Sequence, residues 1–158
     1  FADGAGAAVV GPSDEPGIGP VAWGSAGDMV DMIYNRDNRY IYQEGQTVYR
    51  WATSQIAPIA MRALELAGLQ PSDVDALIPH QANLRIVEAI AKKLRAAGAK
   101  EKMEVADDIT YTGNTSSASI PIALDHMRKA GRVNTGDVLL MVGFGAGLSY
   151  AGQVVISP

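Results

Sequence analysis

The run Ile78-Pro79-His80-Gln81-Ala82-Asn83-Leu84-Arg85-Ile86 switches the apolar pattern of the chain from that of a strand to that of a helix within one turn. Pro79 holds Ile78 extended, because a residue before proline avoids helical dihedrals. Upstream, Val74 to Ile78 reads as a short buried strand introduced by Pro71-Ser72-Asp73. Downstream of Asn83, the residues Leu84, Val87, Ile90, Ala91 and Leu94 recur at helical spacing until Gly98. Gly113-Asn114-Thr115-Ser116 and Gly143-Phe144-Gly145-Ala146-Gly147 also sit just past expected strands. If these strands run parallel, all three turns open on one sheet edge, the edge at which α/β sheets bind ligands. That placement points to an enzyme.

Elsewhere the chain alternates strands with helices. Ala7 to Val10 and Ile18 to Trp23 read as strands, and Gly24 to Gly45 as a long surface excursion rich in tyrosine and polar residues. Thr47 is the expected cap of a helix that carries Val48, Trp51, Ala52, Ile56, Ile59, Ala60, Ala63, Leu64 and Ala67 at helical spacing, with Gly68 as its stop. Pro58 within it removes the hydrogen bond to the Ser54 carbonyl, which predicts a kink. Met103 to Tyr111 should contain a strand. Ser119 is the expected cap of a third helix bearing Ile122, Leu124 and Met127 and stopped by Gly131, with Pro121 tolerated in its first turn. Asp137 to Phe144 and Leu148 to Ile156 complete the order β-β-α-β-α-β-α-β-β. The fold class is α/β, with helices packed on a mixed sheet.

At 158 residues the length is that of one domain. A net charge of −4 argues against nucleic acid as a partner, and no apolar run approaches the roughly 20 residues that would make a membrane span. With no cysteine and two histidines, the chain offers no thiolate or histidine-rich metal site, and none is expected. It begins at Phe1, inside the small-residue run Asp3-Gly4-Ala5-Gly6-Ala7, which suggests the carboxyl-terminal portion of something longer.

His80 is the first candidate for chemistry, crowded by Gln81, Asn83 and Arg85, although a lone histidine near a strand end is more often structural. Asn83 reads first as a helix cap, and Asn114 as part of a polar helix-entry loop with common turn chemistry. His126 is assigned no chemistry. The glycine run 143–147 leads into a strand, not a helix, so it is not a dinucleotide loop. It reads instead as a tight turn whose backbone N–H groups approach a ligand. Arg85 and Lys92, seven residues apart, share a helix face that is either solvated surface or a dock for an acidic partner. A histidine and an asparagine can both donate to one carbonyl oxygen and stabilise an enolate without a metal.

These three motifs, with Ser117-Ala118-Ser119-Ile120-Pro121 and the opening Phe1-Ala2-Asp3-Gly4-Ala5-Gly6-Ala7, resemble the β-ketoacyl-acyl-carrier-protein synthase III family over essentially the whole chain. The resemblance implies a thiolase-like half with a five-stranded mixed sheet. It also implies a decarboxylative Claisen condensation of an acyl-CoA primer with malonyl-acyl-carrier protein, initiating fatty acid or related polyketide synthesis. On this basis His80 and Asn114 hold the malonyl thioester carbonyl, and the Ala146 N–H, or that of Gly145, lies in the oxyanion hole. Asn83, Ala82, Gly45, Gln46 and Phe144 lie near the pantetheine arm, and Arg85, with Lys92, docks the acidic carrier protein. Gln46 departs from the asparagine often found at its position, and Ala146 from glycine.

The same resemblance implies no cofactor beyond the CoA thioester and the carrier's phosphopantetheine as substrates. The intact enzyme is expected to be a cytoplasmic homodimer, with no nucleic acid or membrane partner. The family's nucleophilic cysteine is expected in an amino-terminal half, so this chain alone should be inactive. Two rivals remain: a synthase-III-like acyltransferase of secondary metabolism, and a non-catalytic carrier-protein-binding subunit.

Overall fold

Every residue of the strand Ala76–Pro79 (β4) is buried, so it needs a neighbour on each edge and a layer on each face. The computed structural model, which describes residues 1–37 and 39–158, supplies both. Val138–Gly145 (β6) lies parallel to β4 on one side and Glu104–Val105 (β5) parallel on the other. Ser149–Ile156 (β7) turns back antiparallel onto β6, and Ile18–Ser25 (β1) pairs antiparallel with β7. The order β1-β7-β6-β4-β5 is a five-stranded mixed sheet, as expected.

Strand alternation sends neighbouring residues to opposite faces. Leu77, Leu140, Val142 and Val154 meet the helices Gly45–Leu66 (α1) and Leu84–Ala96 (α2) through Ile56, Ala60, Leu64, Ile90 and Leu94. Ala76, Ile78 and Leu139 face the other way, onto Ala123 and Met127 of Ser119–Lys129 (α4). Gly68, at φ +71°, takes the left-handed position after α1, which lets the Leu69 N–H reach back to the Leu64 carbonyl. No helix among the described residues is long and apolar enough to cross a membrane.

Pro58 does not interrupt α1, which is a single helix of 22 residues. The carbonyls exposed one turn earlier are covered by Lys93 of α2, whose Nζ donates to Thr53 O at 2.7 Å and lies 3.5 Å from Ser54 O. A cation from the neighbouring helix thus sits over this turn, its shorter bond going to Thr53 O and its longer one to the Ser54 carbonyl that Pro58 leaves without a backbone donor.

Several expectations need correction. Ala7 to Val10 is not a strand: none of the described residues pairs with it, and Val9 and Val10 are exposed. The helix α1 begins at Gly45, so Thr47 lies inside it and not at its cap. The surface excursion contains a hairpin of Ile33–Arg36 (β2) and Tyr40–Gln43 (β3). The Tyr34 and Tyr42 rings pair across it with centroids 5.0 Å apart, and Arg36 stacks on Tyr42. Beyond Met103 only two residues join the sheet before a short helix, Ile109–Thr112 (α3), takes over. Arg132 secures that short edge, with Nε 2.8 Å from Glu104 Oε2 and Nη2 donating to Val105 O at 2.7 Å.

Candidate active site

Because β4 and β6 are parallel, their carboxyl ends open on the same side, and the His80 N–H extends the pairing by donating to Val142 O at 2.7 Å. The next residue, Gln81, is fully buried. Its Nε2 donates to Pro79 O (2.9 Å) and Ala106 O (3.3 Å), and its Oε1 accepts from the Ile109 N–H at 3.0 Å. Gln81 therefore locks the turn to the segment after β5 and is not a free polar group of the site. Asn83 caps α2 as expected, its Oδ1 accepting the Arg85 N–H at 2.9 Å.

His80 is partly buried. Its ring stands edge-on to Phe144 of β6, and burial pushes its pKa below the ordinary histidine value. On its far side, Nδ1 lies 2.7 Å from Ser119 Oγ. Ser119 is the first residue of α4, and its hydroxyl does not cap that helix. This corrects the sequence expectation: the side chain reaches back across the sheet edge to the β4–α2 turn.

Asn114 follows Gly113, which adopts φ +69°, a value that glycine takes without strain. The Asn114 Oδ1 accepts the Ser116 N–H at 2.9 Å. That bond fixes the orientation of the carboxamide, since only its oxygen can accept, and leaves the NH₂ group free to donate. The third turn runs from Gly145 into a short 3₁₀ segment, Ala146–Leu148. Ala146 opens that segment, so its N–H has no acceptor within it.

One cavity of about 930 Å³ joins all three turns. His80, Asn114, Phe144, Gly145 and Ala146 line it, as do Ala82, Asn83 and Gly45. Ile33, Ile41 and Val48 add apolar lining, so the β2–β3 hairpin helps to shape the chamber. Gln46 is not on this cavity. It borders an adjoining cleft of about 330 Å³ with Gly45, Asn83, Arg85 and Arg50. Arg50, overlooked in the sequence, adds a second cation there. Lys92 is exposed further along α2 and lines neither space. Neither Arg85 nor Lys92 has an acidic partner among the described residues, whereas Lys93 and Arg95 are engaged with backbone carbonyls.

The chain matches the model of the 3-oxoacyl-[acyl-carrier-protein] synthase III C terminal over residues 64–156. It is 52% identical over 161 residues to a β-ketoacyl-[acyl-carrier-protein] synthase III of Streptomyces coelicolor, covering 99% of this chain and 49% of that one. It is 47% identical over 170 residues to the synthase III of Streptomyces glaucescens, covering all of this chain and 50% of that one. Among solved structures it resembles the priming β-ketosynthase of the R1128 polyketide pathway, at TM-score 0.85 and 42% identity, covering 94% of this chain and 47% of that one. The chain therefore spans about half the length of the curated relatives it matches, and its fold is thiolase-like. On these grounds the chain belongs to the 3-oxoacyl-[acyl-carrier-protein] synthase III family, of which it holds the carboxyl-terminal portion.

Proposed function

We propose that this chain is half of a condensing enzyme that joins an acyl-CoA primer to malonyl-acyl-carrier protein with loss of CO₂. The observation that carries the reading is the meeting of His80 and Asn114, from separate turns, on one cavity. The Asn114 NH₂ and a ring N–H of His80 are two donors for one thioester carbonyl. As the malonyl carboxylate leaves as CO₂, its bonding electrons become an enolate whose oxygen these donors stabilise. The enolate carbon then attacks an acyl thioester on a cysteine supplied by the other half. The Ala146 N–H, with Gly145 beside it, receives the oxyanion of the tetrahedral intermediate, which collapses by expelling the cysteine thiolate. No metal or cofactor is required in this scheme.

The remaining parts of the cavity suit its substrates. Ala82, Asn83, Gly45 and Phe144 border the path for a pantetheine arm, and Gln46 flanks its entrance. Arg85 and Arg50 offer positive charge near that entrance, with Lys92 further along α2, which favours an acidic carrier protein. Exposed Val21 and Trp23 on β1, and Val9 and Val10 near the start, support a second half covering apolar surface. A cytoplasmic homodimer belongs to the same proposal. The R1128 neighbour primes a polyketide pathway, so the product enters either fatty acid or polyketide synthesis.

The test is an assay of the intact enzyme with acyl-CoA and malonyl-carrier protein labelled at the free carboxyl. Release of labelled CO₂ together with a β-ketoacyl product supports condensation. Acyl transfer without CO₂ release favours the secondary-metabolic acyltransferase, and carrier binding with neither reaction favours the non-catalytic subunit. Turnover by these 158 residues alone would contradict the assignment of the nucleophile to the other half.

A further inference from the structure

The reading of His80 as a donor requires its proton to be on the nitrogen that faces substrate, and the surroundings of Ser119 bear on which nitrogen that is. Ser119 is buried, and its Oγ has two neighbours: the Gln81 N–H at 3.2 Å and His80 Nδ1 at 2.7 Å. A hydroxyl carries one proton and two lone pairs. The Gln81 N–H can only donate, so it occupies a lone pair. The hydroxyl proton then needs an acceptor, and among the described residues His80 Nδ1 is the one within hydrogen-bond distance. If Nδ1 itself carried a proton, the serine would accept twice and its own O–H would be buried without a partner, an expensive arrangement.

We propose that Ser119 is a positioning residue that holds His80 in the Nε2–H tautomer, presenting a hydrogen-bond donor to the cavity while pinning the Gln81 backbone. The proposal rests on the functional reading above, because it specifies how that donor is prepared. Burial among apolar groups, including Phe144, keeps the ring neutral and so makes tautomer choice matter. The second histidine provides an internal contrast. His126 Nδ1 lies 2.8 Å from Asp108 Oδ1, an acceptor, so that ring carries its proton on Nδ1. The two histidines of the chain are thus held in opposite ways by their neighbours.

The experiment is ¹⁵N NMR of the imidazole rings in the intact enzyme, with this chain labelled segmentally so that only His80 and His126 report. In the wild type, His80 should show a pyridine-type Nδ1 and a pyrrole-type Nε2. In Ser119→Ala the two His80 signals should move toward a tautomer mixture while those of His126 stay fixed, and Ser119→Thr, which keeps the hydroxyl, should restore the original pattern. Condensation kcat should fall about 10–100-fold in Ser119→Ala, the scale on which losing an outer partner that fixes a histidine's tautomer and ring orientation costs activity in metal sites, with acylation of the nucleophile unchanged. A wild-type His80 protonated on Nδ1 overturns the proposal, and that outcome is readable even if Ser119→Ala fails to fold. So does a Ser119→Ala spectrum identical to wild type. A tautomer that responds as described in an enzyme that releases no CO₂ would sink the condensing-enzyme reading and leave the role of Ser119 standing.

Discussion

The imidazole of His80 meets the ring of Phe144 edge-on, with centroids 5.4 Å apart and planes at 73°. Phe144 also lies 6.1 Å from Trp51, so one ring braces the histidine of the β4–α2 turn and ties α1 to β6. Phe144→Ala should therefore lower both stability and turnover. A loss of about 1–3 kcal/mol is expected for a half-buried aromatic with two ring partners, read as a shift of the denaturant midpoint at constant m-value. A shift within experimental error would mean that the ring supports neither neighbour.

Burial lowers the pKa of His80 below the ordinary value of 6.5. In the window between the folded value and about 6.5, the unfolded chain binds more protons than the folded one. Stability must then rise with pH across that window, and fall as the solution is acidified through it. His80→Gln removes the titrating group and should flatten this part of the stability–pH curve, measured by urea unfolding at closely spaced pH values. An unchanged slope in the variant would assign the effect to other groups.

Asp75 joins three strands at the entrance of β4. Its Oδ2 accepts the Val138 N–H at 2.9 Å, its Oδ1 lies 2.6 Å from Lys100 Nζ, and its backbone carbonyl accepts the Glu104 N–H at 2.9 Å. Partial burial alone would raise its pKa, but the Lys100 ammonium and the Val138 N–H outweigh that and hold the carboxyl below its ordinary value of 3.8. The stability it contributes is present above that value and is lost as pH falls through the lower, folded one. Asp75→Ala should cost about 1–3 kcal/mol at neutral pH. Asp75→Asn, which can still accept from Val138, should cost less, because the exposed Lys100 pair is worth roughly 0–1 kcal/mol. Equal losses in calorimetry would assign the effect to the charge alone.

Arg85→Glu should raise the KM for malonyl-carrier protein by at least about tenfold at low salt, with little change toward a small malonyl thioester. Reversing an exposed charge acts mainly on encounter with a charged partner and is screened by salt. A uniform loss with both substrates would remove Arg85 from the docking surface.

Patterning by period revealed the elements that bury one whole stripe or face. The β4 strand, the inward stripe of α2 and the stop at Gly68 were legible because burial and backbone geometry write themselves into local spacing. The β2–β3 hairpin was not, since Tyr34, Tyr42 and Arg36 pair with one another on an exposed surface and leave no apolar alternation. The edge strand β5 was overestimated because Arg132, not a longer ladder, holds it in place. Ser119 was read as a helix cap because residue type reveals a hydroxyl but not its partner, which here is a ring 39 positions upstream. The candidate site followed the same division: the sequence picked out the three turns, but only the fold placed them on one cavity and moved Gln46 off it.

The central claim is that Asn114 and His80 grip one carbonyl while CO₂ departs. The most direct measurement compares the two half-reactions of the intact enzyme, acylation of the nucleophile and decarboxylation of malonyl thioester, in wild type and Asn114→Ala. Decarboxylation should fall about 10²–10³-fold, as when a single oxyanion donor is removed, while acylation proceeds at close to the wild-type rate. Equal loss of both half-reactions, or decarboxylation at the wild-type rate, would contradict the account.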